Sequence, residues 1–353
     1  MNTTDIRSIR LYNHLLTAHQ LKSPKEIVSW MGAMQAQNYP MAKWGIGVRL
    51  PDVTNEMVEQ AINEGEIIRT HIMRPTWHFV SSDDIHWMLE LTAPRIKPIV
   101  LSYCKLSGED ESLLNKMVRL VEKILTKESH LTRQEIGVLL EAEGYVTDQY
   151  KLNHIMLWAE LEGVACNGKI KGGKQTYSLL QEKVPKIITL TKEESLEKLA
   201  RNYFTSHAPA TLKDFVWWSG LLTSDARKAI ECIKHDFISE TIDSETYWFK
   251  ANTQLPNDNG VPSALLLPAF DEYIVGYKGR TDILKEEHNR TVITKTGIFS
   301  PATVLNGEII GTWKNKPVKG KSDTDLTFFR KEKKETHHLF TSQSEMYTAF
   351  WNK

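Results

Sequence analysis

The sequence predicts an α+β fold of tandem helix–turn–helix–wing units, about three, followed by a small β-rich, barrel-like domain. Three observations predict it. A pattern of capped helix, short turn, second capped helix and β-hairpin is written three times. After about residue 260 the texture changes to short strand-like runs broken by Gly, Pro and Asn. And 353 residues is about twice a usual single-domain length, so several domains are expected.

The pattern is plainest in the middle of the chain. Thr132 and Glu135 form a capping box, Ile136, Leu139 and Leu140 give a helical apolar stripe, and Gly144 supplies the stop. Thr147 or Asp148 then caps a helix with Leu152, Ile155, Met156 and Ala159 on one face, ended by Gly163. Asn167-Gly168 and Gly172-Gly173 mark tight turns of the wing that follows. Further on, Thr211 and Asp214 open a helix closed by Gly220, Ser224 caps the next, and a β-rich stretch from Phe237 to Phe249 turns near Asp243-Ser244. The N-terminal copy is looser. Ser23-Pro24-Lys25-Glu26 combines an N-cap, a first-turn proline and a capping-box acid, another helix runs from Thr54 to about Asn63, and β-prone runs Ile67 to Met73 and Thr76 to Val80 bracket Arg74-Pro75.

In the last part, strands are expected at Leu265 to Leu267, Tyr273 to Val275, Thr303 to Leu305, Ile309 to Trp313, Leu326 to Phe329 and His338 to Phe340. Asn306-Gly307 is a hairpin turn, and a final helix begins near Ser342. The polar and Pro-containing stretches divide the chain into domains at 1–108, 109–185, 186–258 and 259–353.

Composition excludes several classes. With 41% hydrophobic and 25% charged residues the chain is an average globular protein, neither disordered nor fibrous. Forty-four Lys plus Arg balance 44 Asp plus Glu, so no global field draws it to nucleic acid or membrane, and any such partner must meet a local patch. No apolar run suits a signal peptide or a membrane span. Cys104, Cys166 and Cys232 form no pair at metal-ligand spacing, which argues against a zinc site or a disulfide framework and fits a reducing cytosol. His337-His338, and His14 with His19, also lack a third partner at ligand spacing, so no metal is expected.

The familiar catalytic signatures are missing: no phosphate loop, nucleophile elbow, zinc-protease helix or dinucleotide fingerprint is present. Asp271-Glu272 after Pro268 reads as a structural turn, since adjacent carboxylates on a strand face opposite ways. Gln35-Ala36-Gln37 is different. It ends the amphipathic run from Pro24, and Pro40 discourages helix at the residue before it, so the backbone is expected to be extended, with both amides on one face. Taken alone, two glutamines at a helix end are ordinary surface residues.

The block Arg69-Thr70-His71-Ile72-Met73-Arg74-Pro75-Thr76-Trp77-His78-Phe79 can line a groove that holds phosphate and base. The plainer reading is a half-buried sheet with Trp77 and Phe79 in the core. Nine basic and four acidic residues lie between Lys278 and Lys321, with Lys314, Lys316, Lys319 and Lys321 clustered, although charge runs are usually just solvated surface.

Five motifs in order carry a resemblance. They are the Gln35-apolar-Gln37 element, the block from Arg69 to Phe79, the runs Ala210 to Leu221 and Leu266 to Tyr273, and the Gly307 to Trp313 segment. Together they resemble the AlkZ-like winged-helix DNA glycosylases, over nearly the whole chain. The resemblance implies a C-shaped protein of tandem winged helices with a small β-barrel-like domain that removes alkylated bases from DNA; some members unhook interstrand crosslinks. It implies Gln35 and Gln37 as the catalytic pair, double-stranded DNA with alkylated bases as partner, no cofactor, and a monomer in the cytoplasm at the nucleoid. The expected DNA contacts are Arg69, Arg74, Trp77 and His78, the wing residues Lys169, Lys171 and Lys174, and Lys278, Arg280 and Lys314. The chain departs from the family pattern in lacking pronounced basic character.

The chemistry stands without the family name. Alkylation at N7 makes guanine a cationic leaving group, so neutral amides suffice to hold a water at the sugar as it becomes oxocarbenium-like. Only Lys43 lies near the motif, so no Schiff-base step is expected. The alternative is a non-enzymatic winged-helix regulator or architectural protein reading DNA with residues 148 to 162. That stretch bears Asp148, Glu160 and Glu162, with Lys151 its only Lys or Arg, which suits a major groove poorly.

Overall fold

The computed structural model describes residues 1–17, 19–145, 148–251, 253, 263–316 and 324–352. The expected cap Thr147 and the basic residues Lys319 and Lys321 lie outside them. Two compact units emerge, one from Met1–Val58 with Leu196–Lys353, the other from Glu59–Ser195.

The recurring sequence pattern becomes a recurring order of elements: helix, short strand, helix, helix, strand, strand. Its first copy is Pro24–Met31, Met34–Gln35, Tyr39–Gly47, Asn55–Asn63, Ile67–His71 and Trp77–Ser81. The second is Glu111–Lys127, Leu131–Thr132, Arg133–Ala142, Gln149–Leu161, Ala165–Asn167 and Thr176–Leu179. The third is Lys192–Ser206, Ala210–Thr211, Leu212–Ser219, Thr223–Ile233, Phe237–Ile242 and Glu245–Lys250. In the second and third copies the last strand is central, pairing antiparallel with the other two. The expected caps form: Ser23, Thr132 and Thr211 close capping boxes, and Asp148 accepts two backbone N–H groups of the helix after it. Leu222 holds the cap position before Thr223–Ile233, two residues earlier than the expected Ser224.

Within Glu59–Ser195 the core forms where Ile85–Cys104 and Glu111–Lys127 pack on Gln149–Leu161. It buries Ile96, Val100, Leu114, Val121, Ile155 and Trp158. The Trp158 indole N–H is satisfied by Asn115 Oδ1 at 2.8 Å. The 20-residue helix Ile85–Cys104 was not expected, because Pro94 and Pro98 lie inside it. Burial of Trp87, Met88, Ile96 and Val100 outweighs the local penalty.

In the other unit the C-terminal residues form an open antiparallel sheet, Ala264–Leu267, Ala302–Leu305, Glu308–Asn315 and Thr324–Phe328 in that order. Among the described residues its first and last strands do not pair, so the expected barrel is not closed. Asn306 and Gly307 make the predicted hairpin turn, both with positive φ. Two expected strands are helical instead. Tyr273 to Val275 belongs to the short helix Glu272–Val275, because Asp271 caps it. His338 to Phe340 belongs to Lys334–Asn352, which starts eight residues before Ser342.

That last helix packs on the strand Ala264–Leu267 and on Tyr39–Gly47, joining Trp44 to Tyr347 and Phe350 with ring centroids 5.1 and 5.5 Å apart. Gly47 allows the close approach, since a Cβ there would lie 2.7 Å from Phe350. Tyr39–Gly47 is hard to read from the sequence because Gly45 and Gly47 argue against helix; Pro40, expected to keep Tyr39 out of one, instead sits in the first turn, where its missing N–H costs nothing. No helix of the described residues is long and apolar enough to cross a membrane.

Candidate functional site

The glutamine segment lies between two helices that the sequence ends and starts firmly. Met31 is the last residue of the first, and Gly32 stops it with φ 75°. Asn38 opens the second by accepting the Met41 N–H at 3.3 Å, with Pro40 in the first turn. Between them the chain is extended at Met34–Gln35 and bends at Gln37. The helix thus ends several residues before the point where Pro40 alone would stop it. Gln35 is 7% exposed, Ala36 is fully buried and Gln37 is exposed.

Buried polar groups from distant parts of the same unit hold this segment. The backbone N–H of Gln35 donates to Glu272 Oε1 at 2.6 Å, while Glu272 Oε2 accepts from Trp218 Nε1 at 3.0 Å and lies 3.5 Å from His207 Nε2. Downstream, Arg49 makes a fully buried bidentate pair with Asp271 at 2.8 and 2.9 Å and also donates to the carbonyls of His14 and Gly45. Trp44 donates to the Leu266 carbonyl at 2.8 Å. The adjacent carboxylates therefore diverge, as the reading of a structural element requires, but Glu272 also reaches the glutamine backbone. Sequence reasoning missed that. The available signal was an acid pair inside the apolar run Leu265 to Val275, because charged residues in such a frame are buried only with partners.

Behind Glu272 lies a cluster of titratable rings. His14 Nε2 is 2.7 Å from the Tyr277 hydroxyl, which itself donates to the His207 carbonyl at 2.7 Å, so His14 is the Nε2–H tautomer. Burial, then neighbouring His207, Arg49 and Arg10, keep the His14 imidazole well below its usual pKa; burial lowers that of His207 against the opposing pull of Glu272. Lys43 sits buried with its ammonium 4.8 Å from the Tyr39 ring and 5.3 Å from that of Trp351.

The same unit carries Lys278, Arg280 and Lys314. Lys278 is exposed, its ammonium 4.6 Å from the Trp217 ring, and it helps line a groove of about 780 Å³ with Lys213, Trp217, Arg227 and Trp248. Arg280 is half-buried, its guanidinium between Trp217 and Phe299 at 5.5 and 5.1 Å. Lys314 is exposed on the strand Glu308–Asn315, opposite Asp325.

The remaining expected contacts belong to the other unit. Arg69 and Trp77 come together on the hairpin Ile67–His71/Trp77–Ser81, with the guanidinium 4.4 Å from the indole; Arg69 is only 9% exposed and also donates to Gln175. The His71 ring stacks obliquely on Trp77 at 4.3 Å and is fixed by Glu160 at 2.7 Å. Glu160 also accepts from the His71 backbone at 2.8 Å, so this acid of the Gln149–Leu161 helix is a buried strut rather than a surface charge. His78 is fully buried, its Nδ1 2.9 Å from the Thr76 carbonyl and its Nε2 3.4 Å from Arg74, with burial the main cause of a strongly lowered pKa. Of the core pair expected on this strand, Phe79 is fully buried and Trp77 half-buried. Lys169, Lys171 and Lys174 are all exposed on the wing, where Lys171 and Lys174 face each other across its tip and Gly172 and Gly173 take positive φ.

Comparison with known proteins places the chain among the DNA glycosylases. The family model of AlkZ-like DNA glycosylases matches residues 28–341, and the chain belongs to that family. A curated relative, the interstrand DNA cross-link repair glycosylase of Streptomyces sahachiroi, is 23% identical over 323 residues, covering 86% of this chain and 85% of that protein. Among solved structures, Streptomyces sahachiroi DNA glycosylase AlkZ shares the fold with a TM-score of 0.81 at 19% identity, over 99% of this chain and 96% of that one.

Proposed function

We propose that this protein is a monofunctional glycosylase that excises N7-alkylated purines from duplex DNA, including purines tied into interstrand crosslinks. The observation that carries the reading is the exposed Gln37 beside a Gln35 whose backbone is pinned by Glu272. A cationic purine leaves without a strong general acid, so the protein has to supply a placed water and dipoles toward the sugar. Gln37 holds the water through its carbonyl and Gln35 orients it; the two roles are interchangeable. Lys43, buried between aromatic rings, takes no part in a Schiff base.

The three repeats of elements are read as winged-helix domains over 1–108, 109–185 and 186–258, ahead of the β-rich segment 259–353. Lys169, Lys171, Lys174, Lys278 and Lys314 grip phosphates, Arg69, Arg74, Arg280 and Trp77 shape the contact surface, and His78 acts from below by holding Arg74. The crosslink substrate follows the name of the curated relative. A crosslinked base cannot be flipped into a tight pocket, so amides that reach the sugar through a groove suit it. The enzyme is read as a cytoplasmic, nucleoid-associated monomer without a cofactor.

The test is single-turnover release from duplex carrying N7-methylguanine. Wild type leaves alkali-labile abasic sites, and Gln35→Ala or Gln37→Ala slows release by at least about 100-fold with DNA binding preserved. Equal release by wild type and both variants would remove the amides from the mechanism, and covalent trapping by borohydride would replace it with a lyase.

A further inference from the structure

We propose that Cys104, Glu109 and His154 form a zinc-binding site in the unit Glu59–Ser195, separate from the glutamine segment. The Cys104 thiol, a Glu109 carboxylate oxygen and an imidazole nitrogen of His154 all lie within 4.8 Å of one another. Cys104 and Glu109 are buried, and the His154 side chain is 20% exposed.

Local structure explains the convergence. Cys104 ends the helix Ile85–Cys104, and a single 3-10 turn leads to Gly108 at φ 76°. The Gly108 N–H donates to the Lys105 carbonyl at 3.2 Å and the Glu109 N–H to the Cys104 carbonyl at 3.1 Å. This is a Schellman ending, in which the side chains at the positions of Cys104 and Glu109 are brought against each other, usually as an apolar pair. Here the pair is a thiol and a carboxylate. The helix Gln149–Leu161 then presents His154, whose Nδ1 lies 2.6 Å from Glu109 Oε2.

The donor set suits zinc. Sulfur and imidazole nitrogen select it over magnesium or calcium, and a thiolate plus a carboxylate balance its two charges. Zinc bonds of about 2.0–2.3 Å hold tetrahedral donors about 3.2–3.7 Å apart. Glu109 and His154, 2.6 Å apart, then open by about 0.6–0.7 Å as the ion replaces the proton between them. The exposed side of His154 admits a water as fourth ligand. Such an ion ties the end of Ile85–Cys104 to Gln149–Leu161. The expectation of no zinc site weighed cysteine pairs and sequence spacing, whereas these donors meet only through the turn and a helix 45 residues on.

Cobalt titration of the metal-free full chain tests it. The expected result is one equivalent per chain with a near-ultraviolet thiolate-to-cobalt band that zinc abolishes. Cys104→Ala loses the band, Cys166→Ala and Cys232→Ala keep it, and Glu109→Gln and His154→Gln weaken binding by more than the roughly 10–100-fold seen for outer-shell partners. His154→Gln alters a half-exposed side chain and serves if Cys104→Ala fails to fold. Failure of wild type to take up an equivalent, a band that survives in Cys104→Ala, or unchanged affinity in His154→Gln overturns the proposal.

Discussion

The carboxylate of Glu272 holds the backbone of Gln35 at 2.6 Å, across 237 residues of sequence. Its other oxygen is committed to Trp218. This one buried side chain therefore joins the glutamine segment to the aromatic run of the third helical repeat, and its replacement reports on positioning rather than on contact with DNA.

Glu272→Gln keeps one carbonyl oxygen for the Gln35 N–H but loses the charge and one of the two accepting atoms. A hydrogen bond to a charged group is worth about 1.5–3 kcal/mol, so base release is expected to slow by about tenfold or more. The single-turnover rate should fall while the dissociation constant for lesion DNA stays unchanged. Glu272→Ala leaves two buried donors unpaired and should also lower unfolding stability by on the order of 3 kcal/mol in urea titrations.

Asp271→Asn and Arg49→Met each break a fully buried bidentate pair. Leaving one charge without its partner destabilises by about 3–5 kcal/mol, whereas a well-packed apolar replacement of both partners is close to neutral. Denaturant midpoints of the two single variants and of the double variant separate these cases; a single variant as stable as wild type would contradict the burial.

Stability should fall as pH drops below about 6.5. His14 and His78 titrate well below the ordinary value of 6.5 and His207 below it, chiefly through burial, so the unfolded chain takes up protons that the native chain refuses. The stabilisation is fully present above pH 6.5 and is lost between there and the lowered native values. His14 faces His207, Tyr273, Tyr277, Arg10 and Arg49, His207 faces Glu272, and His78 faces Arg74. Each such histidine contributes up to about 1.4 kcal/mol per pH unit. Denaturation at several pH values should show this slope, and His14→Gln should reduce it by one histidine's share.

Replacing Lys169, Lys171 and Lys174 together by Ala should weaken duplex binding evenly across sequences. Each lost phosphate contact takes about 0.9 from the slope of log affinity against log salt, so the triple variant should be shallower by up to about 2.7. An unchanged slope would mean that the wing tip stays in solvent.

Much of the local structure was legible because its causes are local. Capping boxes at Ser23, Thr132 and Thr211, and the turns at Asp243-Ser244 and Asn306-Gly307, need only neighbours in sequence, and all appear where expected. Tyr39–Gly47 and Ile85–Cys104 were hidden because packing overrides internal Gly and Pro. At the site, the extended backbone at Gln35 was expected, but Gly32 causes it rather than Pro40, since Tyr39 is itself helical, and its support was not readable. Glu272, Arg49 and Trp218 act at long range, and no spacing rule links them to a glutamine. His78 shows the opposite error. Strand alternation placed it on a face, while only tertiary packing decided that this face is covered.

The ring contacts of Trp44 with Tyr347 and Phe350 tie Tyr39–Gly47 to a helix far downstream in sequence. A chain cut before Lys334 would keep both glutamines but would open the Trp44 face of the next helix to water, so the glutamine segment and the downstream helix should be lost or kept together in limited proteolysis.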